Sequence, residues 1–145
     1  MRYALRGITA EELSYNMNKV QITPNMRIEL KPQFARQIRR ANNNDNMYFL
    51  VLEVKIESTE SEPKPFNLKC RLVGAFEAED VVTEEDKQVL AISMTEIVYP
   101  YLRSAVSSMT ATAFVNPIML PVIPAGTMFP EDGGTTSFDA PGALN

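Results

Sequence analysis

Residues 48–56 read Tyr48-Phe49-Leu50-Val51-Leu52-Glu53-Val54-Lys55-Ile56, and this stretch decides the class of fold. Side chains of an extended chain alternate between faces. Tyr48, Leu50, Leu52, Val54 and Ile56 therefore share one face. Phe49 and Val51 lie on the other and give way to Glu53 and Lys55. One end of this strand is expected to be buried on both faces, the other end on one. Downstream, Ser58 to Pro65 is too polar to bury and reads as a hairpin connection. Phe66, Leu68, Cys70, Leu72, Gly74 and Phe76 then alternate with Asn67, Lys69, Arg71 and Val73. This is a second half-wet strand, antiparallel to the first.

Working outward, Met26-Arg27-Ile28-Glu29-Leu30-Lys31 alternates apolar and charged residues between Pro24 and Pro32, as a strand does. The run from Ala41 to Asn46 is rich in Asn and Asp, which tolerate turn conformations, and reads as a loop. Tyr3 to Ile22 reads as a first strand, interrupted near Ala10-Glu11-Glu12 by a bulge, turn or short helical turn. After the hairpin, Thr83 is placed to cap a helix whose first turn is Glu84, Glu85 and Asp86. Leu90, Met94, Ile97, Val98, Tyr101, Leu102, Ala105, Val106 and Met109 recur at intervals of three and four, an amphipathic helix of about seven turns. Pro100 removes one backbone bond and is expected to bend it near Ile97. The fold class is α+β: a four-stranded antiparallel sheet followed by one long, Pro-kinked helix. Residues 1–130 form a single domain, and the Gly-rich polar residues 131–145 a disordered tail.

Composition narrows the function. Apolar residues make up 45% of the 145, charged residues 22%, and the net charge is -4. The short basic cluster of Arg36, Arg39 and Arg40 reads as a solvated loop or strand end, so no nucleic-acid partner is expected. No histidine is present, which removes His-based acid–base and triad catalysis and the commonest transition-metal ligand. The single cysteine, Cys70, can build neither an internal disulfide nor a Cys-rich zinc site, and suits a reducing compartment. The six glycines form no phosphate loop. The chain is expected not to be an enzyme and to use no metal or cofactor. Ser104 to Pro130 is uncharged, but Pro117, Pro121, Pro124 and Pro130 forbid a spanning helix, so a cytoplasmic protein without membrane insertion is expected.

One helix cannot cover both faces of a sheet and its own far side, so self-association is expected. The segment from Ile118 to Phe129 is apolar, irregular and carries Met119 and Met128. From the residues alone it either lids its own sheet or offers an adaptable surface to other chains.

The sequence resembles the SecB family of tetrameric protein-export chaperones. Tyr99-Pro100-Tyr101-Leu102-Arg103 and Ser107-Ser108-Met109 are similar to the aromatic-Pro-Tyr-Ala-Arg and Thr-Ser-Met pattern of that family's long helix. Pro117 and Leu120-Pro121-Val122 resemble its proline-bearing crossover segment, Val73-Gly74-Ala75-Phe76 the end of its fourth strand, and Thr9 to Tyr15 its first strand. The match is collinear over roughly residues 3 to 125. The resemblance implies ATP-independent holding of unfolded polypeptide clients in apolar grooves, and favours the second reading of the apolar segment. It places the polypeptide-binding positions at Met26, Ile28, Tyr48, Leu50, Phe76, Met119, Leu120, Val122 and Ile123. It implies self-association as a dimer or dimer of dimers through the helix, at Ile97, Tyr101, Leu102 and Val106. The family's docking site for the export ATPase SecA corresponds to Glu12, Asn16 and Lys69, where Lys69 would repel a basic partner. The sequence also departs from the family at its end, because Pro124, Gly126 and Pro130 leave no room for a second helix of ordinary length. Besides export, two alternatives stay open: a dedicated adaptor for one partner such as an antitoxin, and a purely structural oligomer.

Overall fold

The computed structural model describes residues 1–19, 29–43 and 46–129, and the backbone of residues 138–139. Strands β1 (Arg2–Met17), β2 (Gln33–Arg40), β3 (Met47–Ile56) and β4 (Phe66–Glu79) precede helix α1 (Glu84–Thr112). A single-turn helix α2 (Ala125–Met128) and a short strand β5 (Phe138–Asp139) follow. The sheet order is β1-β4-β3-β2-β5. The first four strands pair antiparallel, and β5 adds to the β2 edge in parallel.

The register is the one the apolar alternation demands. Tyr48, Leu52 and Ile56 stand opposite Phe76, Leu72 and Leu68, so the apolar residues of β3 and β4 share the face beneath α1. A one-residue slip would turn both sets toward water. The expected first strand is continuous over Arg2–Met17, with register shifts between Leu5 and Gly7 and between Ala10 and Glu12. Of the three readings of Ala10-Glu11-Glu12, the bulge is the one found.

Two expectations are corrected here. Residues 26–28 of the expected strand Met26–Lys31 lie outside the described residues, and 29–32 are not strand. The strand begins after Pro32, at Gln33. The arginines on it are not solvated, since Arg36 and Arg39 are each 3% exposed. Arg36 stacks its guanidinium 4.5 Å from the centre of the Phe129 ring and donates to Thr95 Oγ1 on α1 at 3.0 Å. Its long stem and planar head serve as core and as polar contact together. Of the residues expected as a disordered tail, 131–137 and 140–145 lie outside the described residues, and the backbone of Phe138 and Asp139 pairs with Ile38 and Arg39.

Helix α1 starts as expected. Thr83 Oγ1 accepts from the Asp86 N–H at 3.0 Å, while Asp86 Oδ2 accepts from the Thr83 N–H at 3.2 Å. The backbone N–H groups of Thr83 and Val82, both donating to Oδ2, hold the Asp86 carboxyl below its ordinary pKa. The helix runs through Pro100 as one element. Glu96 and Pro100 are both exposed, so water can meet the carbonyl that the proline leaves without a partner. Leu90, Met94, Val98, Leu102 and Val106 are fully buried against the sheet. The helix comes closest at Gly74, where a Cβ would lie 2.8 Å from Val98 Cγ2. At its other end, Val115 N–H bonds Thr110 O at 3.2 Å and Phe114 N–H bonds Ala111 O at 3.1 Å. This is the paired closure of a Schellman motif, with Phe114 (φ 62) in the position where glycine is usual.

Candidate functional site: an uncharged groove beside the helix

After Phe114 the chain turns back along α1 as an extended strap, residues 115–124. Four helix side chains hold its backbone. Tyr99 Oη donates to Pro121 O at 2.7 Å, Arg103 Nε to Leu120 O at 3.0 Å, and Ser107 Oγ to Ile118 O at 2.7 Å. Thr110 Oγ1 accepts from the Ile118 N–H at 2.9 Å. Residues 99, 103, 107 and 110 are spaced four, four and three apart, so they form one stripe along the helix. Burial pushes the Tyr99 hydroxyl pKa up, against the pull of Arg103, and keeps its proton available for Pro121.

The strap and α1 cover β3 and β4 but leave the end of β1 around Leu13 and Met17 open on its helix-side face. Leu13 and Met17, on that face, are 55% and 77% exposed. Between this uncovered margin and the strap lies an open groove of about 670 Å³. Tyr15 and Phe66 form its base, their rings stacked at 5.2 Å between centres. Met17, Asn18, Leu30, Pro65 and residues 115–119 of the strap complete its described lining. Among the described residues no charged side chain lines it. Met119, Val115 and the nearby Phe114 are 73%, 36% and 96% exposed.

The expected client positions divide. Met119 lines the groove. Val122 is 79% exposed on the strap beyond it, and Ile123 is half-buried. Leu120 points inward and is buried in the core. Tyr48, Leu50 and Phe76 are also core residues, sealed beneath α1, and Met26 and Ile28 lie outside the described residues. Sequence reasoning missed Tyr15, Met17 and Phe66. Their signal was present, because alternation on β1 puts Leu13, Tyr15 and Met17 on one face. What it could not tell is that α1 stops short of them.

The expected helix positions divide too. Leu102 and Val106 are fully buried against the sheet, so they cannot face another chain. Tyr101 is 52% exposed, Ile97 is half-buried, and Val89 is exposed, leaving a mixed outer face. Glu12, Asn16 and Lys69 come together on the sheet face turned away from α1, around one shallow depression. Lys69 Nζ lies 3.6 Å from both Glu12 Oε1 and Glu53 Oε1, and Arg71 Nη2 lies 2.7 Å from Glu53 Oε1. The Ser14 hydroxyl, then Lys69 and Arg71, hold the Glu12 carboxyl below its ordinary pKa. The patch is charge-balanced rather than acidic.

Other chemistry finds little to work with. Cys70 is buried, which pushes its thiol up to about 11 and leaves it protonated and unreactive. Among the described residues no cluster of carboxylates and Cys70 is arranged to hold a metal ion. No helix among them is long and apolar enough to cross a membrane.

Comparison with known proteins agrees with this architecture. The family model described as preprotein translocase subunit SecB matches residues 5–133. The chain belongs to the SecB family. The protein-export protein SecB of Anaplasma marginale is 30% identical over 90 residues, 61% of this chain and 51% of the relative. That of Azoarcus is 30% identical over 92 residues, 61% of each chain. An uncharacterized protein of Methanocaldococcus jannaschii is 26% identical over 98 residues, 67% of this chain and 63% of the relative. The matched stretch thus spans about half to two-thirds of the curated relatives' length. Among solved structures, the fold resembles the Mycobacterium tuberculosis SecB-like chaperone in complex with a peptide from the HigA1 antitoxin. The TM-score is 0.67 at 16% identity, over 84% of this chain and 91% of that one. The four antiparallel strands followed by a long helix are this SecB-like fold, and after the strap the described residues hold only the single turn of α2.

Proposed function

We propose that this SecB-family chain is a cytoplasmic, ATP-independent chaperone that holds non-native polypeptide in the groove between β1 and the strap. The observation that carries this reading is an open groove with no charged side chain among its described lining residues, and with both Met17 and Met119 exposed in it. A folded monomer rarely leaves such side chains together in water without a use for them. Burying one large client side chain is worth ~1.5–3 kcal/mol. A few such anchors would give roughly micromolar binding after the cost of ordering the client. The uncharged lining selects for apolarity rather than for one sequence, and flexible thioethers tolerate varied shapes. Holding of this kind involves no covalent step, and no catalytic residue is assigned.

The test is suppression of aggregation of a chemically denatured protein at stoichiometric amounts of this chain. Val115→Asp with Met119→Asp puts two charges into the groove at exposed positions and should abolish suppression while circular dichroism stays unchanged. Full suppression by that variant would remove the groove as the site. Leu120 is unsuited to this test, because its truncation opens a core cavity at a cost of about 2–5 kcal/mol.

A second reading is favoured by the charge-balanced patch around Glu12 and Lys69, which offers a basic ATPase partner little attraction. In this reading the groove serves one dedicated partner, such as an antitoxin segment, instead of export through SecA. It predicts tight binding to that partner and weak suppression of general aggregation. Equal affinity for unrelated unfolded chains would exclude it. In both readings the chain works as a dimer or dimer of dimers, with the Ile97 and Tyr101 face of α1 between subunits.

A further inference from the structure

We propose that Met17 and Met119 are a paired oxidation site, through which a peroxide switches the groove from apolar to polar. The inference rests on the groove being the polypeptide site and adds a regulator to it. The methionines are sorted by position. Met94 is fully buried, and Met47, Met109 and Met128 are half-buried. Met1 is 41% exposed at the start of the chain and does not line the groove. Met17 and Met119 are the most exposed of the described methionines, at 77% and 73%, and both line the groove. The buried, protonated Cys70 does not compete for the oxidant.

The step is a two-electron oxygen transfer. The thioether sulfur attacks one peroxide oxygen, the S–O bond forms as the O–O bond breaks, and the other oxygen leaves as water after a proton transfer. The methionine is oxidised to sulfoxide and the peroxide is reduced. Each sulfoxide replaces a polarisable apolar contact with a strongly polar S–O group, which a client's apolar side chain cannot satisfy. At Met119 the change reaches further. Ser107 Oγ lies 3.5 Å from Met119 Sδ while it donates to Ile118 O at 2.7 Å. A sulfoxide oxygen there is a far better acceptor than a thioether and competes for the Ser107 hydroxyl, drawing it from the strap. Thiol-driven sulfoxide reductases reverse both changes.

The experiment treats the full chain with dilute hydrogen peroxide. Oxygen uptake is mapped by mass spectrometry, and affinity for an unfolded reporter protein is measured before oxidation, after it, and after sulfoxide reductases with dithiothreitol. Met17 and Met119 are expected to oxidise well before Met94, with affinity falling about tenfold and returning on reduction. In the Met17→Leu, Met119→Leu double variant, whatever its starting affinity, the ratio before and after peroxide is expected to stay near one. Uptake no faster at these two residues than at Met94, or an equal loss in the double variant, would overturn the switch. Reporter binding unaffected by complete oxidation of both would overturn the switch alone. An unoxidised chain that binds no reporter would overturn the groove reading and the switch with it.

Discussion

Gly74 is the residue on which the packing of α1 turns. An added Cβ would meet Val98 Cγ2 at 2.8 Å and the Phe76 ring at 3.0 Å, both fully buried. Gly74→Ala is expected to cost about 1–3 kcal/mol in urea unfolding, and Val98→Ala in the same chain to recover part of it, since the two sites share one contact. A wild-type midpoint for the single variant would mean that the helix stands farther off. Phe114 poses the opposite case. Its left-handed backbone (φ 62) closes α1, and its ring is 96% exposed, so the residue is strained without packing in return. Phe114→Gly is expected to raise stability by about 1 kcal/mol, read as an upward shift of the urea midpoint. Neither property is legible in one sequence, because each depends on what stands opposite or on a single dihedral angle. Arg36 and Arg39 were misread for a related reason. Three arginines in five residues look solvated, yet the aromatic ring and hydroxyl that accommodate Arg36 come from Phe129 and Thr95, far along the chain.

Elements with one clean period were readable. β3, β4 and the capped start of α1 follow from alternation, spacing and Thr83. β2 was not, because Arg36 and Arg40 occupy helix-side positions where alternation expects apolar residues. The strap was legible as apolar and irregular, but not as attached: its fasteners Tyr99, Arg103, Ser107 and Thr110 look like ordinary residues of a polar helix face. The site was half legible for a geometric reason. Periodicity says which face a side chain takes, and only the footprint of α1 says whether that face is covered, as for Phe76, or open, as for Met17. The fastening is testable at the same scale. Thr110→Val keeps the shape but removes the acceptor of the Ile118 N–H. Hydrogen exchange at the Ile118 amide should speed up about tenfold, the equivalent of ~1.4 kcal/mol. An unchanged rate would mean that the strap is held by side-chain burial alone.

For the whole molecule, the balance of covered and uncovered surface is what matters. The sheet is wider than its helix, and the outer side of α1 still carries Val89, Ile97 and Tyr101. Light scattering at micromolar concentration is expected to give a mass above that of one chain. Ile97→Asp with Tyr101→Glu should shift it downward without loss of helix signal, and a wild-type monomer would refute the arrangement. The strap has a further consequence for how such a protein diversifies. It is fastened through its own main-chain groups, which every residue type except proline supplies in full. The side chain at 122 plays no part in that anchorage, and that at 119 touches it only through the weak contact of its sulfur with Ser107, so both are free to drift. Evolution can therefore revise which guests the molecule prefers by editing a few strap letters, while the helix alone preserves the grip.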